Sequence, residues 1–308
     1  MGAAGDNLLD APRAAPAVAA AAAPVRDRAE EPLVRVEGFR AAFGRRVVLD
    51  DVSFVVHGGE IVVLAGGSGC GKSTLLKHMI GLHRPAAGRI LIDGVDVSQV
   101  QGERRRALLR TFGVSYQPGA LFGSMSLSRN IELVMEEFTD LPPAARRAIA
   151  LSKLRLVGLE RAAEQLPSQV SGGMLKRAAI ARAMAVEPKI LFLDEPSAGL
   201  DPISSAELDQ LILDLRRMLG MTFVVVTHEL PSIFTIADRC VVLDAARKTK
   251  VADETPAWLR DECEDEWVRQ FFNRGAGGES AGPPTAATPV AAGTQRPAGT
   301  PAQKDASA

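Results

Sequence analysis

Short apolar runs rich in Val and Ile alternate along this chain with longer stretches whose apolar residues recur at helical spacing. Three of the runs, IVVLAG, ILFLDE and TFVVVTH, are almost continuously apolar, as strands covered by helices on both faces are. This pattern predicts an α/β fold built on a parallel sheet. The predicted strands are Val34 to Val36, Val52 to Val56, Ile61 to Leu64, Arg89 to Ile92, Gly113 to Tyr116, Ile190 to Leu193, Thr222 to Thr227 and Cys240 to Leu243.

Two parts of the pattern depart from a simple parallel sheet. The earliest runs alternate more between polar and apolar positions and are joined by short turns such as HGGE. This alternation predicts an antiparallel piece attached to the parallel sheet. The interval from about residue 118 to 188 carries little strand signal and much helical signal, so we interpret it as a helical insertion.

The two ends of the chain differ in composition from the middle. Residues 1–32 are rich in Ala and Pro, and residues 274–308 lack aromatic residues and periodicity, so both are predicted to be disordered. The folded part then divides into a main domain, residues 33–254, and a C-terminal helical extension, residues 255–273.

Charge and composition exclude some classes of function. The formal net charge is −1, so no global basic field would recruit nucleic acid or anionic lipid. The longest apolar-looking run, Ala14 to Val25, is mostly alanine and is interrupted by prolines, so it falls short of a bilayer span. We therefore expect any membrane association to come through a protein partner. The three cysteines form no CxxC pair, which favours a reducing compartment.

The stretch GGSGCGKST matches the phosphate-loop pattern G-x-x-x-x-G-K-[ST] and lies between a predicted strand and a predicted helix. Glycines let the backbone curl so that its N–H groups point at phosphate oxygens, and the helix start adds its positive end. Lys72 is predicted to pair with the β- and γ-phosphates, Ser73 to bind Mg²⁺ and Thr74 to lie near the α-phosphate. The other predicted binding residues of this loop are Gly66, Gly67, Ser68, Gly69, Cys70 and Gly71.

The string ILFLDEP predicts a buried strand that ends in two carboxylates. Asp194, at the tip of the strand, is placed to hold Mg²⁺ as a Walker B aspartate does. Glu195 follows and would face the γ-phosphate, where a carboxylate can orient water or accept its proton. Alone, this pair would be typical of a solvated turn; with the phosphate loop it predicts a site for hydrolysis.

A second helix start with anion-binding character lies in VSGGMLKRAAIARAMA. Ser171 is predicted to be the N-cap, and Gly172 and Gly173 expose N–H groups beside it. One nucleotide in one chain has no evident need for two such sites. We therefore predict a head-to-tail dimer in which each copy closes its SGG helix start over the nucleotide of the other.

These motifs together resemble those of the ATP-binding-cassette (ABC) ATPases, over about residues 33 to 250. Further family motifs follow in order as AFG, YQPG, GLDP and VVVTHEL. The resemblance implies that Phe43 stacks on adenine and that Gln117 senses Mg²⁺ and water beside the docking surface of a transmembrane partner. It also implies that Asp201 lies in the D-loop and that His228 contacts the γ-phosphate.

The same resemblance implies the fold and the cofactors. The fold would be that of a P-loop NTPase with a RecA-like parallel-sheet core, an antiparallel β subdomain and a helical signature subdomain. The reaction would be ATP hydrolysis with Mg²⁺. The implied catalytic residues are Lys72, Gln117, Glu195 and His228, and the implied metal ligands are Ser73, Gln117 and Asp194.

Met174 stands where the family signature usually has Gln, and Val170 replaces the usual Leu. The backbone N–H groups of the signature are unaffected by both changes, so ATPase activity is expected to remain.

A second likeness concerns the subfamily. SGGM, together with YQPGALFGSMSLSRNI and DEPSAGLDPIS, resembles the corresponding segments of the ATPases of Mla/Mce-type phospholipid transport systems. That likeness implies permease subunits, an MCE-type substrate-binding protein, a small regulatory subunit and a place on the cytoplasmic face of the inner membrane. Lipoprotein release and amino-acid uptake are the alternative cargoes.

One alternative to a transporter subunit is a soluble ABC protein that has no membrane partner. A soluble cassette acting on DNA ends or on the ribosome would carry a long coiled-coil insertion or a second copy of the motifs, and this sequence has neither.

In the C-terminal extension, Trp267, Phe271 and Phe272 fall on one helical stripe. This stripe is expected either to pack on its own domain or to dock on the second protomer or on a regulatory subunit.

Overall fold

Two β-sheets and the helices packed on them make up residues 31–116 and 121–273, the part of the chain that the computed structural model describes. The predicted tails lie outside the described residues, apart from two positions of the N-terminal one. Gln117 also lies outside the described residues.

The larger sheet has six strands and carries the predicted apolar runs. Its order is β10-β9-β3-β8-β7-β6, in which five strands are parallel and β10 pairs antiparallel at one edge. Every residue of β3, β7 and β8 is buried, as predicted for strands covered on both faces. The bounds are β3 Ile61–Gly66, β6 Phe112–Ser115, β7 Ile190–Asp194, β8 Thr222–Val226, β9 Arg239–Asp244 and β10 Thr249–Glu254.

The smaller sheet is antiparallel, with the order β2-β1-β4-β5. Strand β1 continues well past the predicted Val36, because pairing with β2 carries it through three register shifts as far as Phe43. The two-residue strand β5 and the half-buried strand β10 have no apolar run, and the sequence pattern missed both. The bounds are β1 Val34–Phe43, β2 Arg46–Val56, β4 Ala87–Ile92 and β5 Val95–Asp96.

Helices cover both faces of the larger sheet, and the described residues between β6 and β7 are helical or irregular. None of the helices in the described part is long and apolar enough to cross a membrane. The bounds are α1 Lys72–Met79, α2 Gly102–Thr111, α3 Leu127–Phe138, α4 Pro143–Leu156, α5 Gly172–Ala183, α6 Pro202–Leu219, α7 Leu230–Ile236, α8 Pro256–Asp261 and α9 Glu266–Asn273, with two 3-10 turns at Glu160–Ala162 and Pro167–Gln169.

Strand β3 separates two buried clusters. Alternate side chains of a strand point to opposite faces, so Ile61 and Val63 join the cluster formed with α3 to α6, whereas Val62 and Leu64 join the cluster formed with β1, β2 and α1. The strand that leads into the following loop is therefore packed on both faces of the sheet.

A close approach between β6 and α5 gives a stability prediction. A Cβ added at Gly113 would lie 2.7 Å from Leu191 Cδ2 and closer still to the carbonyl oxygen of Ala183. We expect Gly113→Ala to lower the free energy of unfolding by about 1–3 kcal/mol, because the overpacked backbone must shift. Urea denaturation monitored by circular dichroism measures this change.

The matched control is Gly58→Ala, where an added Cβ would meet nothing within 4 Å. This variant should keep the wild-type midpoint. Equal midpoints for the two variants would contradict the close approach of β6 to α5.

Candidate nucleotide-binding site

The loop between β3 and α1 has a backbone that requires glycine at its first position. Gly66 has φ +138°, and an added Cβ would lie 2.9 Å from Cys70 Sγ and closer still to the carbonyl oxygen of Leu243. Lys72 folds back over the loop, where its Nζ donates to the carbonyl oxygens of Gly66 at 2.8 Å and of Gly67 at 3.1 Å. The cation is thus held beside the N-terminus of α1, where both charge and helix dipole favour an anion.

The floor of the site joins α1 to the end of β7. Ser73 Oγ donates to Asp194 Oδ1 at 3.1 Å. Burial raises the pKa of Asp194, and the hydrogen bond from Ser73 acts against that rise. A hydroxyl and a carboxylate suit Mg²⁺, which usually takes one or two carboxylates together with phosphate oxygens and water. Among residues 31–116 and 121–273, no group of three or more His, Cys, Asp or Glu side chains could hold a metal ion.

Glu195 and His228 form a pair beside the loop. Glu195 has φ +48°, a conformation unusual for a residue with a Cβ, and its N–H donates to Val226 O at 2.8 Å. Its Oε1 lies 2.9 Å from His228 Nδ1. An ionised carboxylate can only accept, so Nδ1 carries the proton in this arrangement. The other oxygen, Oε2, is buried and has no hydrogen-bond partner among the described residues. A buried acceptor without a partner is a position that a bound water molecule or a substrate group would satisfy.

These groups open into one cavity of about 980 Å³. Phe43, which is 51% exposed, lines it from the end of β1. The predicted site residues that line the cavity are Phe43, Gly66, Gly67, Ser68, Gly69, Gly71, Lys72, Ser73, Thr74, Glu195 and His228.

Two predicted residues lie beneath the loop and not in the cavity wall. Cys70 is buried, with its Sγ 3.9 Å from Lys72 Nζ, and burial raises the pKa of its thiol. Asp194 is also buried and meets the cavity through Ser73.

The SGG segment lies apart from the cavity, since none of its three residues lines it. Ser171 is the exposed N-cap of α5, where its Oγ accepts from Met174 N at 3.3 Å. Added Cβ atoms at Gly172 and Gly173 would lie 3.6 Å from Leu200 and Ser204. The start of α5 therefore lies against the segment that leads into α6.

Asp201 also lies away from the cavity, as the N-cap of α6. Its carboxylate accepts from the backbone N–H of Ile203 at 3.1 Å and of Ser204 at 3.0 Å. A further hydrogen bond from the hydroxyl of Ser204 is the largest contribution that lowers the pKa of Asp201. Asp201 is thus held next to the SGG segment.

Five cavity residues were missed by the sequence reasoning: Arg46, Val48, Leu230, Trp267 and Phe271. The first two lie on β2 directly after the AFG motif, and Leu230 lies two positions after His228, so their closeness in sequence could have suggested them. Trp267 and Phe271 lie far along the chain, and no local signal ties them to the loop.

A phosphate loop between β3 and α1, with a carboxylate at the end of a nearby parallel strand, defines a P-loop nucleoside triphosphatase. The family model described as "ABC transporter" matches residues 49–198. The chain belongs to the ABC transporter family as an ATP-binding subunit, and its enzymatic class is that of an ATPase.

Named relatives cover most of the chain. It is 38% identical over 247 residues to "Probable ribonucleotide transport ATP-binding protein mkl" of Mycobacterium leprae, spanning 78% of this chain and 68% of that protein. It is 39% identical over 230 residues to "Intermembrane phospholipid transport system ATP-binding protein MlaF" of Escherichia coli, spanning 75% and 84%. The "Dimeric structure of a post-hydrolysis state of the ATP-binding cassette MJ0796 bound to ADP and Pi" matches with a TM-score of 0.65 and 29% identity, spanning 72% and 98%.

Proposed function

We propose that two copies of this chain bind and hydrolyse Mg-ATP on the cytoplasmic face of the inner membrane, and that this cycle drives phospholipid transport between membranes. The N–H groups of the loop and Lys72 hold the β- and γ-phosphates, and Phe43 stacks on the adenine. Ser73, Asp194 and Gln117 would hold Mg²⁺, which when bound would supply positive charge beside the phosphates. Glu195 orients the attacking water, and His228 holds the Glu195 carboxylate and reaches the γ-phosphate.

The position of the SGG segment is the observation that supports the proposed dimer. Its helix start offers exposed N–H groups to an anion, yet no residue of Ser171, Gly172 and Gly173 lines the cavity of its own chain. A second copy placed head to tail would bring this segment, with Asp201 beside it, to the open side of the cavity. The MJ0796 cassette is a dimer that carries ADP and Pi, which supports a nucleotide-binding dimer here.

A few hydrogen bonds to the γ-phosphate are enough to supply the free energy that closes the dimer. Moving the dimer from about 1% to about 99% closed requires nucleotide to favour the closed form by about 5.5 kcal/mol. Hydrogen bonds to a charged group contribute about 1.5–3 kcal/mol each. Two to four bonds from the SGG segment and His228 to the γ-phosphate would supply this difference, and hydrolysis removes it.

The phospholipid cargo rests on the MlaF relatives, which are named for intermembrane phospholipid transport in two organisms. The partners proposed with this cargo are permease subunits, an MCE-type substrate-binding protein and a small regulatory subunit. No nucleic acid takes part. The mycobacterial relative is named for ribonucleotide transport, so ribonucleotide is the comparison cargo.

Reconstitution tests the cargo. The full chain is purified with the membrane subunits that accompany it and placed in vesicles with a labelled phospholipid or a labelled ribonucleotide. We expect ATP to drive movement of the phospholipid only. Movement of the ribonucleotide, or of neither cargo while ATP is hydrolysed, would overturn the phospholipid assignment and leave the ATPase assignment standing.

Lys72→Ala is expected to weaken ATP affinity by about 10- to 150-fold, because a charge-assisted hydrogen bond of about 1.5–3 kcal/mol is lost. Isothermal titration calorimetry with a non-hydrolysable ATP analogue measures this change in affinity. The control is Lys189→Ala, since Lys189 pairs with Asp93 at 2.6 Å and neither residue lines the cavity. Wild-type affinity in the Lys72 variant would contradict the phosphate role of this lysine.

A further inference from the structure

Helix α9 is anchored on its own domain by one of its faces. Val268 and Phe272, one turn apart, are buried in the large core cluster. Asp265 caps the start of the helix by accepting from the N–H groups of Trp267 at 3.0 Å and Val268 at 3.2 Å, and it forms an ion pair with Arg247. The orientation of α9 is thus set by the buried side chains of Val268 and Phe272 and by the N-cap Asp265, which is ion-paired. The sequence left open whether this helix packs on its own domain, and the structure has it packed there.

The neighbouring face of α9 is turned to the nucleotide cavity. Trp267 and Phe271, also one turn apart, stack with ring centroids 5.8 Å apart and planes inclined by 26°. Both are half-buried, and both line the cavity together with Leu230. We call Trp267 and Phe271 the aromatic wall.

The aromatic wall lies at one end of the phosphate loop. An added Cβ at Gly71 would lie about 3 Å from Val48 and Leu49 of β2, whereas one at Gly67 would lie 3.8 Å from the Trp267 ring. The Gly71 end is therefore the end nearer Phe43 and β2, and the Gly67 end is nearer α9. A nucleotide with its base on Phe43 would run its phosphates toward the Gly67 end.

From this placement we infer that the aromatic wall is a positioning element for the terminal phosphate, with Trp267 as the residue that acts on the phosphate loop. The inference rests on the proposed ATP site. The indole lies beside Gly67, where an added Cβ would be 3.8 Å from the ring, so it would limit the movement of the N–H groups that face the γ-phosphate. Its ring also lines that end of the cavity with apolar surface, which would strengthen the charged hydrogen bonds made there. The wall therefore favours ATP over ADP.

Affinity for the two nucleotides tests the inference in the full-length chain. Trp267→Ala should weaken binding of a non-hydrolysable ATP analogue by about tenfold and binding of ADP by no more than about twofold, and Trp267→Phe should restore most of the loss. Equal weakening of both nucleotides, or no change in either, would overturn it. Failure of the wild-type chain to bind either nucleotide would instead overturn the proposed ATP site.

Fluorescence gives a second readout that does not depend on the stability of the alanine variant. The chain has two tryptophans, Trp258 on α8 and Trp267, and only the second lines the cavity. Trp258→Phe leaves Trp267 as the reporter, and its emission should change as the ATP analogue saturates the site. Trp267→Phe leaves Trp258, whose emission should stay constant. The same signal from both single-tryptophan chains, or a signal from Trp258 alone, would contradict the aromatic wall.

Discussion

Replacing Glu195 with Gln is expected to slow ATP hydrolysis by about 10²- to 10⁴-fold, the contribution of a general base, while ATP remains bound. The amide has the same size as the carboxylate, and its oxygen can still accept a hydrogen bond from His228 Nδ1. In the wild-type chain this nitrogen lies 2.9 Å from Glu195 Oε1. The amide lacks the basic character of Oε2, the carboxylate oxygen that has no hydrogen-bond partner among the described residues. With the γ-phosphate retained, the contacts that favour closure persist, so the variant should accumulate as a closed dimer. Phosphate release and gel filtration with Mg-ATP measure the two effects.

The matched control for this change is Glu207→Gln. Glu207 is exposed on α6 and does not line the cavity, so the substitution should keep the wild-type turnover. If the Glu195 variant hydrolysed ATP as fast as the wild type, this residue would not be the base.

Ser171→Arg is expected to abolish hydrolysis while leaving ATP binding to the single chain intact. Ser171 is exposed at the start of α5 and lies apart from the cavity of its own chain, so a bulky cation there has no reason to disturb that cavity. In a head-to-tail pair the same side chain would stand between the SGG segment and the partner's nucleotide. Turnover, analogue binding and dimer formation are measured on the same preparation.

Ser152→Arg provides the control for added bulk and charge. Ser152 is exposed on α4 and does not line the cavity, so dimer formation and turnover of the purified chain should be unchanged. If Ser171→Arg lost binding and turnover to the same extent, the segment would act within its own chain and the trans arrangement would be wrong.

The central strands of the larger sheet were predictable because their signal is local. β3, β7 and β8 are buried on both faces, and continuous apolar runs record that burial directly. The phosphate loop was predictable for a related reason: its backbone demands glycine at Gly66, where φ is +138° and an added Cβ would lie 2.9 Å from Cys70 Sγ. In both cases a physical constraint acts on neighbouring residues and therefore appears as a contiguous pattern.

The edges of the sheets were harder to predict because pairing between distant segments decides them. β10 has a half-buried pattern without an apolar run and forms only by pairing with β9. β1 reaches Phe43 because β2 accompanies it through register shifts. Propensity alone does not record such pairing, since a strand at an edge depends on what lies beside it.

The sequence by itself determined the class of this protein, because the phosphate loop, the carboxylates that end β7 and the SGG segment are short motifs whose chemistry needs fixed spacing. Tertiary structure alone decided which distant residues join the predicted ones in the cavity. Trp267 lies 3.8 Å from where a Gly67 side chain would begin, although the two are far apart along the chain. It also places Ser171 outside the cavity of its own chain, as the predicted head-to-tail dimer requires. Such relations follow from how helices pack on the sheet, and packing is a property of the whole chain rather than of any one segment.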